Sequence, residues 1–289
     1  MPTGIGVNAW IWTSPFTTDN EGLALIDKAK KMGFDTFEFG LEDVSHVDPA
    51  KLKSKLQQTG MRVVICGAFG PDRDLTHDDA SVRDNSLNYI TQAIKLCQQS
   101  GCKTLAGPMY SAVGKRRHVS PEQKKKEWDL AVKGLKEAGK RANDSGITLA
   151  IEPLNRFETD LVNTAEQCEK LVNEIEMKNV GFHLDSFHMN IEEKDSYAAI
   201  KRAGNRLFHF HACENDRGAP GSGKNIDWEG VAKGLKEVNY SHDAVIESFT
   251  PKTKSIAAAA AIWRQLAPTQ DALAQDGLAF LKKVLKIPD

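Results

Sequence analysis

The sequence has few of the features that mark nucleic-acid-binding or membrane proteins. Among its 289 residues, 38 are basic and 39 are acidic, and the net charge of -1 leaves no basic excess for a nucleic-acid surface. No apolar run approaches the roughly 20 residues of a membrane span. Met1 to Gly6 show no basic stretch leading into an apolar one, so no signal peptide is expected. We therefore expect a cytoplasmic protein without nucleic-acid or membrane partners.

Cysteine is also sparse, and its spacing does not suggest disulfide bonds. There are five cysteines, an odd number, and no two of them have CxxC spacing. A disulfide scaffold and a zinc–thiolate site are both disfavoured by this pattern. A glycine-rich phosphate loop is missing after the first strand-like segment, so we expect no organic cofactor.

What the chain does contain is one repeated unit: an amphipathic helix, a glycine, two residues and a β-rich strand. The glycines Gly33, Gly60, Gly101 and Gly146 suit the left-handed position after a helix. The unit predicts strands that start near Ile5, Thr36, Arg62, Thr104, Thr148, Val180, Leu207 and Ala244. The intervening helices are expected near 20–32, 49–58, 79–99, 121–144, 164–175, 194–202 and 227–237, with further helices near 255–266 and 270–286.

Eight strands that alternate with helices predict an α/β fold, a (β/α)8 TIM barrel, with a doubly wound open sheet as the alternative. A linker rich in proline, glycine or serine is missing, so one domain is expected over residues 1–289, with the extra C-terminal helix at about 270–286.

Four consecutive strands of this pattern end in an acid or an imidazole. Strand five runs into Glu152, strand six ends His183-Leu-Asp185, strand seven ends His209-Phe-His211, and strand eight runs into Glu247. Barrel enzymes build their active sites at this end of the strands. Because side chains alternate along a strand, His183 shares a face with Asp185, and His209 with His211.

Three carboxylates buried close together repel one another unless a cation neutralises them. With one imidazole they form a donor set that is harder and richer in oxygen than a zinc–thiolate site. Such a set suits Mn²⁺, Mg²⁺ or Co²⁺. A single carboxylate at a strand end is often a helix cap, but four such residues at adjacent strand ends favour a metal site.

The segments around these residues carry a resemblance to a known family. They are EPLNRFE (152–158), LDSFHMNIEE (184–193) and HACENDR (211–217). At these points the sequence resembles the D-tagatose 3-epimerase family, which includes the D-psicose (D-allulose) and L-ribulose 3-epimerases. The resemblance covers nearly the whole chain, is dense from Glu152 to Phe249 and is looser before Pro108. It implies a xylose-isomerase-like barrel that inverts C3 of a free ketose through a cis-enediolate.

The resemblance also implies roles for individual residues. One divalent ion, Mn²⁺ first and Co²⁺ or Mg²⁺ next, would be held by Glu152, Asp185, His211 and Glu247, and the two glutamates would form the acid/base pair. Inversion requires two such groups on opposite faces of the sugar, with the ion polarising the carbonyl. Further residues would bind the ketose: Glu158, His188 and Arg217 at C1 to C3, with Cys66, Gly67 and Phe249 at pocket positions of relatives for the far end. Gly107 and Trp12 are further candidates for the far end, because they lie at strand ends or loops near the mouth of the barrel. Relatives form dimers or tetramers, so a homodimer or homotetramer is expected.

Three other readings remain open at this point. An aldose–ketose isomerase of the xylose or hydroxypyruvate isomerase kind would share the metal ligands but move a proton between C1 and C2. An endonuclease IV-like nuclease would need a trinuclear zinc cluster and a basic groove, which eight histidines and the net charge do not favour. A non-catalytic barrel that kept the ligands would bind metal without turnover. The loop 109–118 departs from many relatives, which have a tryptophan near Val113, and this bears on the choice of ketose.

Overall fold

The structure, a computed structural model, describes residues 1–287, and its centre is a closed barrel of eight parallel strands. The strands are β1 (Ile5–Asn8), β2 (Thr36–Leu41), β3 (Arg62–Gly67), β4 (Thr104–Gly107), β5 (Thr148–Ile151), β6 (Val180–Asp185), β7 (Leu207–Ala212) and β8 (Ala244–Ile246). Each strand pairs with the next along the chain, and β8 pairs back with β1. The predicted TIM barrel is therefore confirmed, every strand starts where the sequence pattern placed it, and the open-sheet alternative is wrong.

Helices surround the barrel, and most of them follow the predicted positions. They are α1 (Asn20–Met32), α2 (Pro49–Thr59), α3 (Ala80–Ser100), α4 (Pro121–Asp144), α5 (Ala165–Ile175), α6 (Ser186–Glu192), α7 (Ser196–Ala203), α8 (Trp228–Glu237), α9 (Lys254–Ala259) and α10 (Gln270–Leu285). Gly33, Gly60 and Gly101 end α1, α2 and α3 in the left-handed conformation that the repeated unit predicts. The extra C-terminal helix is present as α10, and the domain prediction extends to residues 288–289, which lie outside the described residues.

Two helical segments differ from the prediction. The helix expected over 255–266 ends at Ala259, because Ala260 caps it and Ala261 takes a positive φ of 55°. The short helix α6 was not predicted, since its seven residues follow β6 directly and are too few to show a helical period. Its first turn is capped by the side chain of Asp185, which accepts the Phe187 N–H at 2.8 Å.

The apolar core lies between the barrel and its helices, while the barrel interior is partly polar. Phe37, Phe39, Leu105, Phe182 and Phe210 are buried strand residues of the core. Glu38, His183 and His209 are also buried. His209 contacts both Glu38 and His183, although Glu38 is on β2, which is not adjacent to β6 or β7 in the barrel. They can meet only inside the barrel, directly below the strand ends.

A salt-bridged carboxylate lies at the opposite end of the barrel. Asp243, just before β8, accepts hydrogen bonds from Thr3, Thr36 and both donor groups of Arg62, the last two at 2.7 and 2.8 Å. These partners lie on β2, β3 and the segment before β1, so the network ties neighbouring strands together. A cavity of about 570 Å³ opens beside it.

Two further predictions from composition can be compared with the structure. All five cysteines are buried and free, in agreement with the expected absence of a disulfide scaffold. Within residues 1–287 no helix combines the length and the apolar character that crossing a membrane would require.

Candidate active site at the carboxyl end of the barrel

The four predicted strand-end residues lie on one rim of the barrel. Asp185 is the last residue of β6 and pairs in register with His211 of β7, and His211 in turn pairs with Val245 of β8. Glu152 follows β5 by one residue and Glu247 follows β8 by one residue. Parallel strands with a shared register thus bring the four side chains together from four neighbouring strands, as the sequence predicts.

His211 is at the centre of this group. Its Nδ1 atom lies 3.4 Å from Glu247 Oε2 and 4.0 Å from Glu152 Oε1. The ring is fully buried, and within residues 1–287 its Nδ1 atom makes no hydrogen bond. Donor atoms of Glu152, Asp185 and His211 lie within 4.8 Å of one another, which is close enough for one ion to reach all three.

The carboxylates in this cluster are unevenly charged. Burial raises the pKa of Glu152 well above its usual range, and the charge of Glu247 raises it further. Burial likewise raises the pKa of Asp185, although Arg217 opposes the shift. At Glu247 burial acts in the same direction, but His211 and Arg217 outweigh it and lower the pKa. Burial therefore disfavours the charged forms of Glu152 and Asp185, whereas the nearby His211 and Arg217 favour the charged form of Glu247.

The residues present fit a divalent cation. A buried imidazole nitrogen without a partner would otherwise cost desolvation energy, and it faces carboxylate oxygens on two sides. Three carboxylates with one neutral nitrogen form a hard donor set, which suits Mn²⁺, Co²⁺ or Mg²⁺. We conclude that Glu152, Asp185, His211 and Glu247 could hold one such ion.

Arg217 covers the cluster from the loop after β7. Its Nη1 atom donates to Asp185 Oδ2 at 2.5 Å and to Glu247 Oε2 at 2.8 Å. The guanidinium lies 4.0 Å from the ring centre of Phe187 and 5.1 Å from that of Phe249. Cation–π contacts on two sides and two carboxylates fix its orientation. The backbone φ of Arg217 is 67°, a left-handed conformation that turns the chain back over the strand ends.

His188 and Glu158 lie on the same side of the site. His188 Nε2 lies 3.2 Å from Arg217 Nη2 and 3.7 Å from Glu152 Oε1. Its Nδ1 atom accepts the backbone N–H of Asn155 at 3.1 Å, and the Asn155 side chain donates to Glu158 at 2.8 Å. Burial raises the pKa of Glu158. Asn155 therefore links two predicted substrate residues, a role that sequence reasoning missed.

A second layer below the rim contains Glu38, which the sequence analysis also missed. Its Oε1 atom accepts from Asn8 Nδ2 and from His211 Nε2, each at 2.6 Å. Its Oε2 atom lies 2.6 Å from His209 Nε2, without hydrogen-bond geometry between them. Burial by itself raises the pKa of Glu38, but His211 and His209 outweigh it and lower the pKa. An ionised Glu38 bound to Nε2 leaves Nδ1 of His211 facing the rim.

The signal for Glu38 was present in the sequence. In the segment TFEFGL (36–41) an acid interrupts a strand whose other residues are apolar, small or hydroxylic. Ionisable side chains are almost never fully buried without a partner, so such an acid predicts a polar group elsewhere in the barrel. Which group that is cannot be read from the strand, since Glu38 and His211 are 173 residues apart.

Of the five candidates for the far end of the substrate, four lie at or near the cluster. Cys66 is buried among the charges of Glu38, Glu152 and Glu247, which with burial raise the pKa of its thiol. Gly107 takes a φ of 123°, and a Cβ there would lie 3.0 Å from the Gly67 carbonyl oxygen. Only glycine allows this close approach of two backbones beside Cys66.

The two aromatic candidates are placed differently. Phe249 is buried against the Arg217 guanidinium, and its backbone N–H donates to the Arg217 carbonyl at 3.2 Å. Trp12 points towards α10 instead, with its indole N–H on Asp271 at 2.7 Å and Lys28 over its ring. These contacts of Trp12 are with α10 and α1, and its role in substrate binding stays a prediction.

Comparisons with known proteins agree with this arrangement. A family model described as xylose isomerase-like TIM barrel matches residues 26–284. A protein of Synechocystis sp. described as a probable ketose 3-epimerase is 36% identical over 279 residues, which are 96% of this chain and 95% of the relative.

Solved structures give the same result. A structure of an L-ribulose 3-epimerase superposes with a TM-score of 0.92 at 29% identity, over 99% of this chain and 95% of the other. A D-allulose 3-epimerase from Methylomonas sp., solved in complex with D-allulose, gives a TM-score of 0.91 at 27% identity, over 98% of this chain and 97% of the other.

Proposed function

The chain belongs to the xylose isomerase-like TIM barrel family, and from this premise we propose that it inverts C3 of free ketoses at the cluster of Glu152, Asp185, His211 and Glu247. It is an isomerase that acts on carbohydrates, as are its relatives named ketose 3-epimerase and L-ribulose 3-epimerase. One observation carries the proposal: Nδ1 of His211, which makes no hydrogen bond within the described residues, lies 3.4 Å from Glu247 Oε2 and 4.0 Å from Glu152 Oε1.

The proposed chemistry starts from the acidity of the C3 proton, which lies next to the C2 carbonyl of a ketose. A divalent ion held by the four residues would supply Lewis-acid stabilisation of the charge that develops on the ketose oxygens. Glu152 and Glu247 extend from β5 and β8, on different sides of His211. One takes the proton from its face of the sugar, and the other returns one to the opposite face. The roles exchange when the reaction runs in reverse.

The neighbouring residues bind and orient the sugar in this proposal. Arg217 and His188 present N–H groups beside the carboxylates, and Glu158 accepts from a substrate hydroxyl. Cys66, Gly67, Gly107 and Phe249 would line the side that holds C4 to C6, and Gly67 and Gly107 lie in close backbone contact there. Trp12 stays a candidate for the same end of the sugar, with its indole N–H donating to Asp271.

The preferred ion and the assembly are also proposals. Mn²⁺ fits an oxygen-rich site that includes one imidazole, and Co²⁺ and Mg²⁺ are the next choices. D-allulose, D-fructose, L-ribulose and D-tagatose are the first ketoses to test, because relatives of this chain are named for two of them and one was solved with D-allulose. A homodimer or homotetramer is proposed for the assembly, and light scattering of the purified chain tests it.

In the experiment, the protein is freed of metal with a chelator and incubated with a panel of ketoses in D₂O, with and without added Mn²⁺. NMR of the recovered sugars identifies the epimer and the position of deuterium. We expect C3 epimers that carry deuterium at C3, formed only when the ion is present. Matched variants Glu152→Gln and Glu247→Gln are each expected to stop epimer formation, whereas Glu127→Gln, a buried acid on α4, is the control.

Other outcomes would replace the proposal. An aldose product with exchange at C1 or C2 would indicate an aldose–ketose isomerase. Inversion at C4 would place the chain with the 3-dehydro-D-guloside 4-epimerase of Escherichia coli, a relative that is 28% identical over 75% of this chain. Metal binding without any turnover would indicate a binding protein on the same scaffold.

A further inference from the structure

We propose that His183 is a positioning residue for Glu152: its imidazole N–H donates to the Glu152 carboxylate from below and fixes the rotation of that carboxylate. The inference rests on the proposed function, because it concerns one of the two acid/base groups. His183 lies in the middle of β6, two residues before Asp185.

The register of the barrel places the two residues side by side. Ile151 of β5 pairs with Phe182 of β6, so the next residues along the two strands, Glu152 and His183, are neighbours on the inner face. His183 Nδ1 lies 3.5 Å from Glu152 Oε2. A small rotation of either side chain would close this to a hydrogen bond, whose length is normally about 2.7–3.2 Å.

The second observation is that His183 has no other partner. Its side chain is fully buried, and neither ring nitrogen makes a hydrogen bond to any residue in the described chain. An imidazole always carries at least one N–H, and a buried N–H without an acceptor is costly. Within residues 1–287, Glu152 Oε2 is the one carboxylate oxygen that lies within 4.0 Å of these nitrogens.

The surrounding imidazoles do not offer an alternative acceptor network. The ring of His183 packs edge-on against those of His211 and His209, with centroids 4.1 and 4.6 Å away. His211 is already bound through Nε2 to Glu38, and His209 Nε2 faces the other oxygen of Glu38. The two histidines of β7 thus direct their Nε2 atoms to Glu38. Of these three rings, His183 lies nearest to Glu152, at 3.5 Å against 4.0 Å for His211.

The contact explains how Glu152 is oriented. With Oε2 on His183, the other oxygen, Oε1, faces His188 Nε2 at 3.7 Å and His211 Nδ1 at 4.0 Å. Glu247 is fixed separately, by Arg217 from above. Each acid/base carboxylate is therefore oriented by a different side chain. Loss of the His183 contact is expected to slow proton transfer by Glu152 and to leave substrate binding unchanged.

A pair of variants of similar side-chain size tests this. His183→Met removes the donor, whereas His183→Gln keeps an N–H group at a similar reach, and His242→Phe, a histidine outside the site that packs against Phe208 and Tyr240, is the control. We expect kcat of the Met variant to fall about 10–100-fold, the usual effect of losing a supporting contact around a metal site. KM and the metal bound per chain should stay near the values of the unaltered chain, and the Gln variant should regain most of kcat.

Three results would overturn the inference. They are an unchanged kcat in the folded, metal-loaded Met variant, an equal loss of kcat in both variants, and a loss of activity that follows a loss of bound metal. Thermal unfolding of each variant separates these from a folding defect, and if the Met variant does not fold, the KM-to-kcat comparison of His183→Gln with His183→Asn, a shorter donor, decides. Failure of the unaltered chain to epimerise any ketose would instead contradict the proposed function.

Discussion

Replacement of Glu38 by glutamine tests whether the layer below the rim prepares His211 for the metal ion. The Glu38 carboxylate is fully buried, and its Oε1 atom accepts from His211 Nε2 and Asn8 Nδ2 at 2.6 Å. Glutamine keeps the shape but loses the charge, and its amide places an N–H group against donors. The tautomer with a bare Nδ1 is then less favoured, and so is metal binding at that atom.

The expected effect is a 10–100-fold weaker affinity for Mn²⁺, which corresponds to about 1.4–2.8 kcal/mol. Competition between the protein and a metal-sensitive dye measures this affinity without any need for turnover. Glu127→Gln is a matched control, because Glu127 is also a buried acid held by cations, Arg117 at 2.8 Å and Lys115 at 3.8 Å, but on the outer helix α4. It should lose stability and keep its metal affinity.

The reasoning is refuted if the folded Glu38→Gln chain binds Mn²⁺ as tightly as the unaltered chain. It is also refuted if Glu127→Gln weakens binding to the same degree, since the effect would then belong to general stability. Near-identical far-UV spectra at the assay temperature, which show that both variants are folded there, are the condition for comparing the two affinities.

The other predictions concern the Arg217 guanidinium, Asp243 at the opposite end of the barrel, and the metal ion. Arg217→Lys keeps a cation but loses the planar guanidinium that lies over the rings of Phe187 and Phe249. We expect kcat/KM to fall about 10–100-fold, since the ammonium of a lysine does not stack on those rings in that way. Asp243→Asn should cost about 1–2 kcal/mol in urea unfolding at neutral pH, less than a fully buried pair because the Arg62 side chain is 54% exposed. The pKa of Asp243 is lowered, because its bonds to Arg62 and Thr36 outweigh the effect of burial, so this difference should be complete above the carboxyl's ordinary pKa and vanish as the pH falls through the lowered value. Added Mn²⁺ at about 100 times its dissociation constant should stabilise the chelated protein by about 2.7 kcal/mol, visible as a higher unfolding temperature.

Each of these has a clear contrary outcome. An Arg217→Lys chain with unchanged kcat/KM would remove the guanidinium from the proposed site. A stability difference for Asp243→Asn that grows in acid would reverse the sign of the linkage. An unfolding temperature that is insensitive to Mn²⁺ but rises with Zn²⁺ would show that the donor set prefers a softer ion than we propose.

The sequence by itself determined the barrel and the rim of the site. Strand starts were predictable because each βα unit repeats the same signals, a glycine after the helix and an apolar run that only a strand buried on both faces tolerates. The rim residues were predictable for a related reason: Glu152, Asp185, His211 and Glu247 end consecutive strands, and consecutive parallel strands are neighbours in the barrel.

Only the tertiary structure decided the contacts that cross the barrel or leave the local pattern. Glu38 meets His211 across the barrel interior. Asn155 joins His188 to Glu158, with its backbone N–H on His188 and its side-chain amide on Glu158. Trp12 is a candidate substrate contact from its place after β1, and its indole bonds to α10. A period along one strand or helix says which face a residue is on. It says nothing about which distant segment packs against that face, and that depends on how the closed barrel brings non-neighbouring strands and the last helix together.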